Sequence, residues 1–313
     1  MQGIVMEPLF RTENASENKG IVIALGNFDG VHIGHSAIIA RTASLAKELS
    51  ANSCVWMFDP HPMACLTGRP QPLLTTFEER KRLFSEKGIE FAAVADFNKF
   101  RSMRPDDFLC FLRDELGCVG AVCGYNYSFG EYGRGKADDI VEFFGSKSYV
   151  LPEMRADGLH VSSTEIRSLV TAGDMKRAAA LLGRPYFISG SVVGGRMIGR
   201  TIDFPTANIE ISEEKIAPAC GIYASMTRVG EKLYPSVTNF GTNPTVTESM
   251  KKKLETHILG FSGDLYGENI CVYLLRKIRD ERKFESLDEL RAQIKRDSGY
   301  ALSVFEKTEK KFV

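Results

Sequence analysis

The chain has 313 residues, and its 40 Lys and Arg balance 40 Asp and Glu to a formal net charge of zero. That balance argues against a protein that holds nucleic acid or an anionic membrane surface by charge. A composition of 43% hydrophobic and 26% charged residues excludes a largely disordered chain, and the length suits two domains. The cysteines Cys54, Cys65, Cys110, Cys118, Cys123, Cys220 and Cys271 contain no Cys-x-x-Cys pair. Neither a zinc site nor a disulfide framework is therefore expected, and reduced thiols are the plain reading. Met1 to Phe10 lacks the basic start and apolar core of a signal peptide. With no apolar run of membrane-spanning length, a soluble cytoplasmic protein is expected.

The first apolar run, Ile21-Val22-Ile23-Ala24-Leu25, predicts a buried strand, and Ser36 to Leu49 carries apolar residues at helical spacing. Between them lies Gly26-Asn27-Phe28-Asp29-Gly30-Val31-His32-Ile33-Gly34-His35, a strand-to-helix turn. A helix start offers unpaired N–H groups and a positive dipole end, which suit a phosphate. Gly30 and Gly34 let the backbone approach a ligand, and Gly34 also permits tight packing of the turn. His32 and His35 share one face of the first helical turn, and both could donate to phosphate oxygens in a transition state.

Ser53 to Phe58 predicts a second strand that ends in Asp59-Pro60-His61-Pro62. Flanking prolines are expected to hold His61 in an extended, non-helical loop. With parallel strands, His61 shares an edge with His32 and His35, and open parallel sheets bind ligands at that carboxyl edge. Thr76-Phe77-Glu78-Glu79 has capping-box form and opens a helix to about Lys87. A strand follows at Phe91 to Ala95, then a helix over Asp106 to Leu116 started by Pro105, then a strand at Val119 to Cys123. Gly124 to Gly130 alternates aromatic and polar residues, which suits either a ring-binding loop or a strand end packed on the core. Arg134 and Lys136 follow among glycines and could face phosphates. A short helix over Asp138 to Phe144 and a strand at Tyr149 to Leu151 come next. Ser162 and Glu165 have capping-box spacing, so the hydroxyls of Ser162, Ser163 and Thr164 either cap a helix or hold phosphate, with Arg167 one turn in. Gly173 ends that helix, and Asp174 caps the next, Met175 to Leu182. The alternation marks a doubly wound α/β domain.

The pattern changes at Gly183-Arg184-Pro185. Strands are expected at Tyr186 to Val193, Ala207 to Ile209, Ile222 to Arg228, Leu233 to Thr238, Glu255 to Leu259 and Ile270 to Lys277, with Gly and Pro turns. Such spacing argues an antiparallel barrel or sandwich. A capping-box-spaced helix follows from Ser286, and the tail is expected to be helical. Gly194 to Arg200 is either a hairpin turn or a loop that wraps phosphates with its N–H groups. Thr206 offers a hydroxyl, and Asn208 an amide oxygen, to Mg²⁺. Glu255 and His257 point the same way on a strand, and the carboxylate could take a proton from an attacking hydroxyl.

Taken together, these residues resemble the bacterial bifunctional riboflavin kinase and FMN adenylyltransferase family over nearly the whole chain. The matched stretches are Gly26–His35, Phe58–Pro62, Gly124–Gly130, Ser162–Arg167, Leu182–Tyr186, Gly199–Asn208, Asn239–Thr245 and Glu255, in the family's order. The resemblance implies an α/β plus β fold: a Rossmann-like nucleotidyltransferase domain over 1–184, then a small antiparallel β-barrel with a C-terminal helix over 185–313. It implies that the first domain adenylylates FMN to FAD and the barrel phosphorylates riboflavin, with ATP and Mg²⁺. By the same resemblance, His32, His35 and Arg167 act on the transferred phosphates. Gly26, Asn27, Phe28, Asp29, Gly34, Ser163 and Thr164 bind that nucleotide, and His61, Asn126 and Tyr127 meet the flavin. Gly199, Arg200, Thr206 and Asn208 hold the kinase ATP, with Thr206 and Asn208 toward the metal and Glu255 as base. Partners are then small molecules, not nucleic acid or membrane, with room for a homo-oligomer.

The chain departs from the family pattern in three places. Asn126 and Tyr127 replace a common Asp-Phe, Gly194-Gly195 a common His-Gly, and Asp203 stands where glycine is usual before Phe204. The departures leave two alternatives: an adenylyltransferase whose barrel only binds flavin, and a non-catalytic flavin sensor.

Overall fold

The computed structural model describes residues 4–9, 19–194, 204–244 and 250–309, which form two compact units, Met1–Ser163 and Thr164–Val313. The first unit runs β1 (Ile4–Pro8), β2 (Ile21–Leu25), α1 (Ile33–Glu48), β3 (Asn52–Phe58), α2 (Pro62–Thr67), α3 (Phe77–Glu86), β4 (Phe91–Ala95), α4 (Phe97–Phe100), α5 (Pro105–Asp114) and β5 (Cys118–Gly124). It continues with β6 (Ser128–Phe129), β7 (Gly135–Lys136), α6 (Ala137–Phe144), β8 (Ser148–Leu151), β9 (Arg155–Ala156) and β10 (Leu159–His160). The main sheet has the order β1-β4-β3-β2-β5-β8. Its strands are parallel except β1, which runs antiparallel along β4. From β2 the chain winds outward to β3 and β4, then crosses back to β5 and β8. The winding direction reverses between β2 and β5, the place where doubly wound sheets open a ligand crevice.

The central strands are continuous apolar runs because helices or loops cover both faces. All of β2 is buried, and Trp56 on β3 sits in an edge-to-face cluster with Phe58, Phe100 and Phe108 at centroid distances of 5.6, 5.2 and 5.4 Å. Such aromatic pairs add about 0.5–1.5 kcal/mol each beyond burial. The Cys54, Cys118 and Cys123 thiols lie in this core, where burial raises them, Cys118 and Cys123 to about 12.

Three segments differ from the expectation. β1 carries no apolar run: Val5 and Met6 are 60% and 40% exposed, as suits an edge strand. His61 is extended at φ −57° and ψ 135°, but the chain after it is helical rather than loop, because Pro62 occupies the first turn of α2 and the His61 ring caps it. α1 likewise begins at Ile33, ahead of Ser36, since His32 serves as its cap.

The second unit opens with α7 (Ser163–Ala172), whose first residue belongs to the first unit, and α8 (Met175–Leu182). It continues with β11 (Tyr186–Val193), β12 (Ala207–Ile209), β13 (Gly221–Val229), β14 (Lys232–Pro244), β15 (Met250–Ile258), β16 (Asn269–Arg279) and α9 (Leu287–Glu309). The strands close as β11-β12-β15-β14-β13-β16, a barrel rather than an open sandwich. α8 packs on β11 and β16, so α7 and α8 cluster with the barrel. Leu254 and Thr256 are buried while Lys253, Glu255 and His257 between and beyond them are half-buried, which sets the inner and outer faces of β15.

The inner face holds a hydroxyl chain. Thr227 meets Ser236 at 2.8 Å, Ser236 meets Ser225 at 2.8 Å, Ser225 meets Thr238 at 2.7 Å and Thr238 meets Thr256 at 2.9 Å. Satisfied in this way, buried hydroxyls rigidify the barrel instead of destabilising it. Outside, α9 lies across β13 and β14. It is anchored by Asp297, whose Oδ2 accepts from Arg279 Nε and Nη2 at 3.0 and 2.8 Å and whose Oδ1 accepts from Gln293 at 2.8 Å. Asp297 is 3% exposed. Asp297→Ala leaves the guanidinium without its carboxylate and is expected to destabilise the unit by about 3 kcal/mol, read as a lower urea midpoint.

Candidate active sites

The turn after β2 depends on unusual backbone. Phe28 and Val31 have φ of 53° and 40°, beside Gly30 at 83°. A left-handed non-glycine residue costs on the order of 1–3 kcal/mol, and the complete burial of both side chains holds the bend. The Phe28 ring packs edge-on to His35 and Phe84 at 5.2 and 5.6 Å. His32 Nδ1 accepts the His35 N–H at 3.2 Å. An accepting Nδ1 carries no proton, so the neutral ring keeps its proton on Nε2 as a donor. The His32 and His35 rings stack at 3.6 Å, tilted 15°. A Cβ on Gly34 would stand 3.3 Å from the His32 ring, so glycine there admits the imidazole. Among these residues the spacing-based reading of a histidine pair at a helix start holds.

His61 repeats the arrangement. Its Nδ1 accepts the Met63 N–H at 3.2 Å, leaving Nε2–H as its donor. β3 runs parallel beside β2, so the His61 and His32 loops leave the same sheet edge. β5 flanks β2 on the other side and delivers Asn126 and Tyr127 there. Asn126 is exposed. Tyr127 stacks on Phe129 at 5.9 Å and 20°, and burial lifts its phenol above the ordinary value. Phe129 belongs to the core, so this aromatic stretch serves packing at Phe129 and reaches the edge at Asn126. Arg134 pairs with Glu131 at 2.9 Å, and Lys136 donates to the Gly133 carbonyl. Both cations are engaged locally.

Asp29 has a bracing role that spacing could not reveal. Its carboxylate, 1% exposed, accepts from the Leu74 and Thr75 N–H groups at 3.1 Å each and from the Thr75 hydroxyl at 3.3 Å. Gly30 N–H donates to that same hydroxyl oxygen at 2.9 Å. The buried Arg80 donates to the Asn27 carbonyl at 3.1 Å, and Ser163 Oγ donates to the Asp29 carbonyl at 2.9 Å. The turn is thus tied to the 74–75 segment, to α3 and to the first residue of α7. Asp29→Ala strips three buried donors of their acceptor. It is expected to cost about 2–3 kcal/mol, measured as a lower melting temperature with a parallel loss of the first unit's activity. Thr164 is exposed and Arg167 half-buried, both beyond Ser163 on α7.

The second unit carries a separate set. On β15, Glu255 stands in register with Asn208 on β12 and with Asn239 on β14. Residues directly opposed across strands share a face, so Asn208, Glu255 and Asn239 form one row on the outer surface of the barrel. Lys253 Nζ holds Glu255 Oε1 at 2.8 Å. His257, one alternation along, sits on the Pro205 carbonyl through Nδ1 at 2.7 Å and on the Phe204 ring at 5.4 Å. That contact ties the chain entering β12, with exposed Thr206 next to Pro205, to β15. Gly199 and Arg200, with Gly195 and Asp203, lie outside the described residues. Lys253 and Asn239 were not singled out from the sequence as site residues, and only strand register brings them to Glu255.

Comparison with known proteins agrees with this division. The FAD synthetase family profile matches residues 14–165 and the riboflavin kinase profile residues 182–305. The bifunctional riboflavin kinase/FMN adenylyltransferase of Bacillus subtilis is 35% identical over 292 residues, covering 91% of this chain and 92% of that protein. The Escherichia coli K12 protein of the same name is 34% identical over 297 residues, covering 92% and 93%. A Streptococcus pneumoniae crystal structure, described as a macrolide-efflux protein, superposes with a TM-score of 0.83 at 30% identity over 92% of this chain and 96% of that one. The chain belongs to the bifunctional riboflavin kinase/FMN adenylyltransferase family.

Proposed function

We propose that the second unit phosphorylates riboflavin with ATP and the first transfers AMP from ATP to FMN, giving FAD and pyrophosphate. The observation that carries this reading is the presence of two unlike sets of groups. A histidine-rich helix start lies under the FAD synthetase match, and a carboxylate flanked by amides lies under the riboflavin kinase match.

In the kinase step the primary hydroxyl of the ribityl chain attacks the γ-phosphorus of ATP, and ADP leaves. That hydroxyl is a poor nucleophile, and Glu255 takes its proton as the new P–O bond forms. Lys253 fixes the carboxylate for this task. Thr206 and Asn208 supply neutral oxygens, the donor type that suits a hard cation sharing its shell with phosphates. Mg²⁺ bound there would neutralise phosphate charge. Gly199 and Arg200 belong to the ATP loop in this reading.

In the adenylyl step the FMN phosphate is already anionic and needs no base. Its oxygen attacks the α-phosphorus, and pyrophosphate leaves. His32, His35 and the α1 start donate to the phosphate on which charge accumulates, joined by Ser163. Gly26, Asn27, Phe28, Asp29 and Gly34 shape that turn, and His61, Asn126 and Tyr127 border the flavin. Among the described residues no helix is long and apolar enough to cross a membrane, and all seven cysteines are free thiols.

Incubation of the protein with riboflavin, ATP and Mg²⁺, resolved by chromatography, should give FMN and then FAD. FAD from FMN but no product from riboflavin would remove the kinase half. Folded protein that makes neither flavin would refute the reading.

A further inference from the structure

The amide oxygen of Asn239 is buried and has no hydrogen-bond partner among the described residues. A buried acceptor left in that state is costly, and native structures rarely tolerate one without a purpose. The neighbours explain why the protein does not satisfy it. Glu255, opposite on β15, presents carboxylate oxygens that accept from Lys253. Lys253 Nζ meets Glu255 Oε1 at 2.8 Å and does not reach the Asn239 amide oxygen. Ile222, opposite on β13, has no polar side-chain atom. Asn208 lies on the far side of Glu255, two strands away. Among the described residues nothing donates to this oxygen, which leaves it open to a donor brought by a ligand.

The chemistry of the site selects which ligand. ATP phosphates present only acceptors, so they cannot satisfy an amide oxygen. The other substrate of a base-catalysed phosphorylation carries hydroxyls. We propose that Asn239 Oδ1 accepts a hydrogen bond from a hydroxyl of the flavin's polyol chain, beside the hydroxyl that Glu255 deprotonates. The row then has a direction. The nucleotide approaches from the Asn208 side on β12, the reacting hydroxyl sits over Glu255 on β15, and the rest of the polyol runs over Asn239 on β14. Asn239 becomes a binding residue that selects a hydroxylated side chain, not merely a flavin ring. This inference rests on the kinase reading for the second unit.

Lumiflavin, the same ring system with a methyl in place of the polyol, separates the two parts of the ligand. In the full chain, Asn239→Ala and Asn239→Leu should each weaken riboflavin binding by about tenfold, the scale of one neutral hydrogen bond. Lumiflavin affinity should stay at its parental value. Asn239→Ser, which keeps a shorter acceptor, should fall between parent and Ala for riboflavin. Equal losses for both flavins would overturn the proposal, as would no loss for riboflavin. A raised Mg²⁺ requirement with unchanged riboflavin affinity would overturn it too, by making Asn239 a metal ligand. The comparison is by equilibrium binding without ATP. A parental chain that binds riboflavin yet makes no FMN would count against the kinase reading alone, and the two failures are told apart.

Discussion

Glu255→Gln should reduce riboflavin phosphorylation by on the order of 10²- to 10⁴-fold, the usual contribution of a positioned general base. The substitution keeps the shape and leaves an amide that cannot take a proton. It also removes the anionic partner of Lys253, now 2.8 Å away. That partner is half-exposed, so its loss costs little stability, and the variant should stay folded. The row on the barrel surface should persist, because Asn208 and Asn239 are set by strand register and not by the carboxylate. The deficit should therefore fall on kcat, with riboflavin binding largely kept. FMN adenylylation should be unaffected, since no residue assigned to that step lies on β12, β14 or β15. A Glu255→Gln chain that phosphorylates riboflavin at the parental rate would refute the base role.

His35→Ala should lower FAD formation from FMN by about 10²- to 10³-fold, the effect of removing one donor aimed at developing negative charge. The loss is compounded locally. The ring stacks on His32 at 3.6 Å and meets the edge of Phe28 at 5.2 Å. Phe28 is held at a positive φ by its burial, so removing a packing partner loosens a strained turn. The backbone N–H that caps onto His32 Nδ1 survives in alanine, so α1 should still start at the same place. FMN formation from riboflavin should be untouched. Equal loss of both activities would contradict the division between the units.

Much of the fold was legible because burial writes itself as pattern. Strands buried on both faces show as unbroken apolar runs, and Ile21–Leu25 and Phe91–Ala95 occur with the expected ends. Capping chemistry gave Thr76 with Glu79, and Asp174 before Met175. The misses share a cause, which is that polar or exposed residues carry no periodic signal. β1 is an edge strand with Val5 and Met6 outward. β14 and β15 extend to Pro244 and from Met250, past the expected Thr238 and Glu255, because Asn239 to Pro244 reads as a turn and Lys251 to Lys253 as solvated chain. The same limit applies to the sites. The histidine spacing announced a phosphate turn, but the Asp29 latch onto Leu74 and Thr75 joins residues some 45 positions apart. Nor can spacing place Asn239 beside Glu255, since only the closed register does so.

The central claim is that one chain runs two independent reactions in series, and mixing the two variants tests it most directly. Supplied with riboflavin, ATP and Mg²⁺, Glu255→Gln alone should make neither FMN nor FAD. His35→Ala alone should stop at FMN. Combined in one vessel, the two should restore FAD, because FMN released by one chain is adenylylated by the other. Failure of the mixture to form FAD, or FAD at the parental rate from either variant alone, would contradict the account.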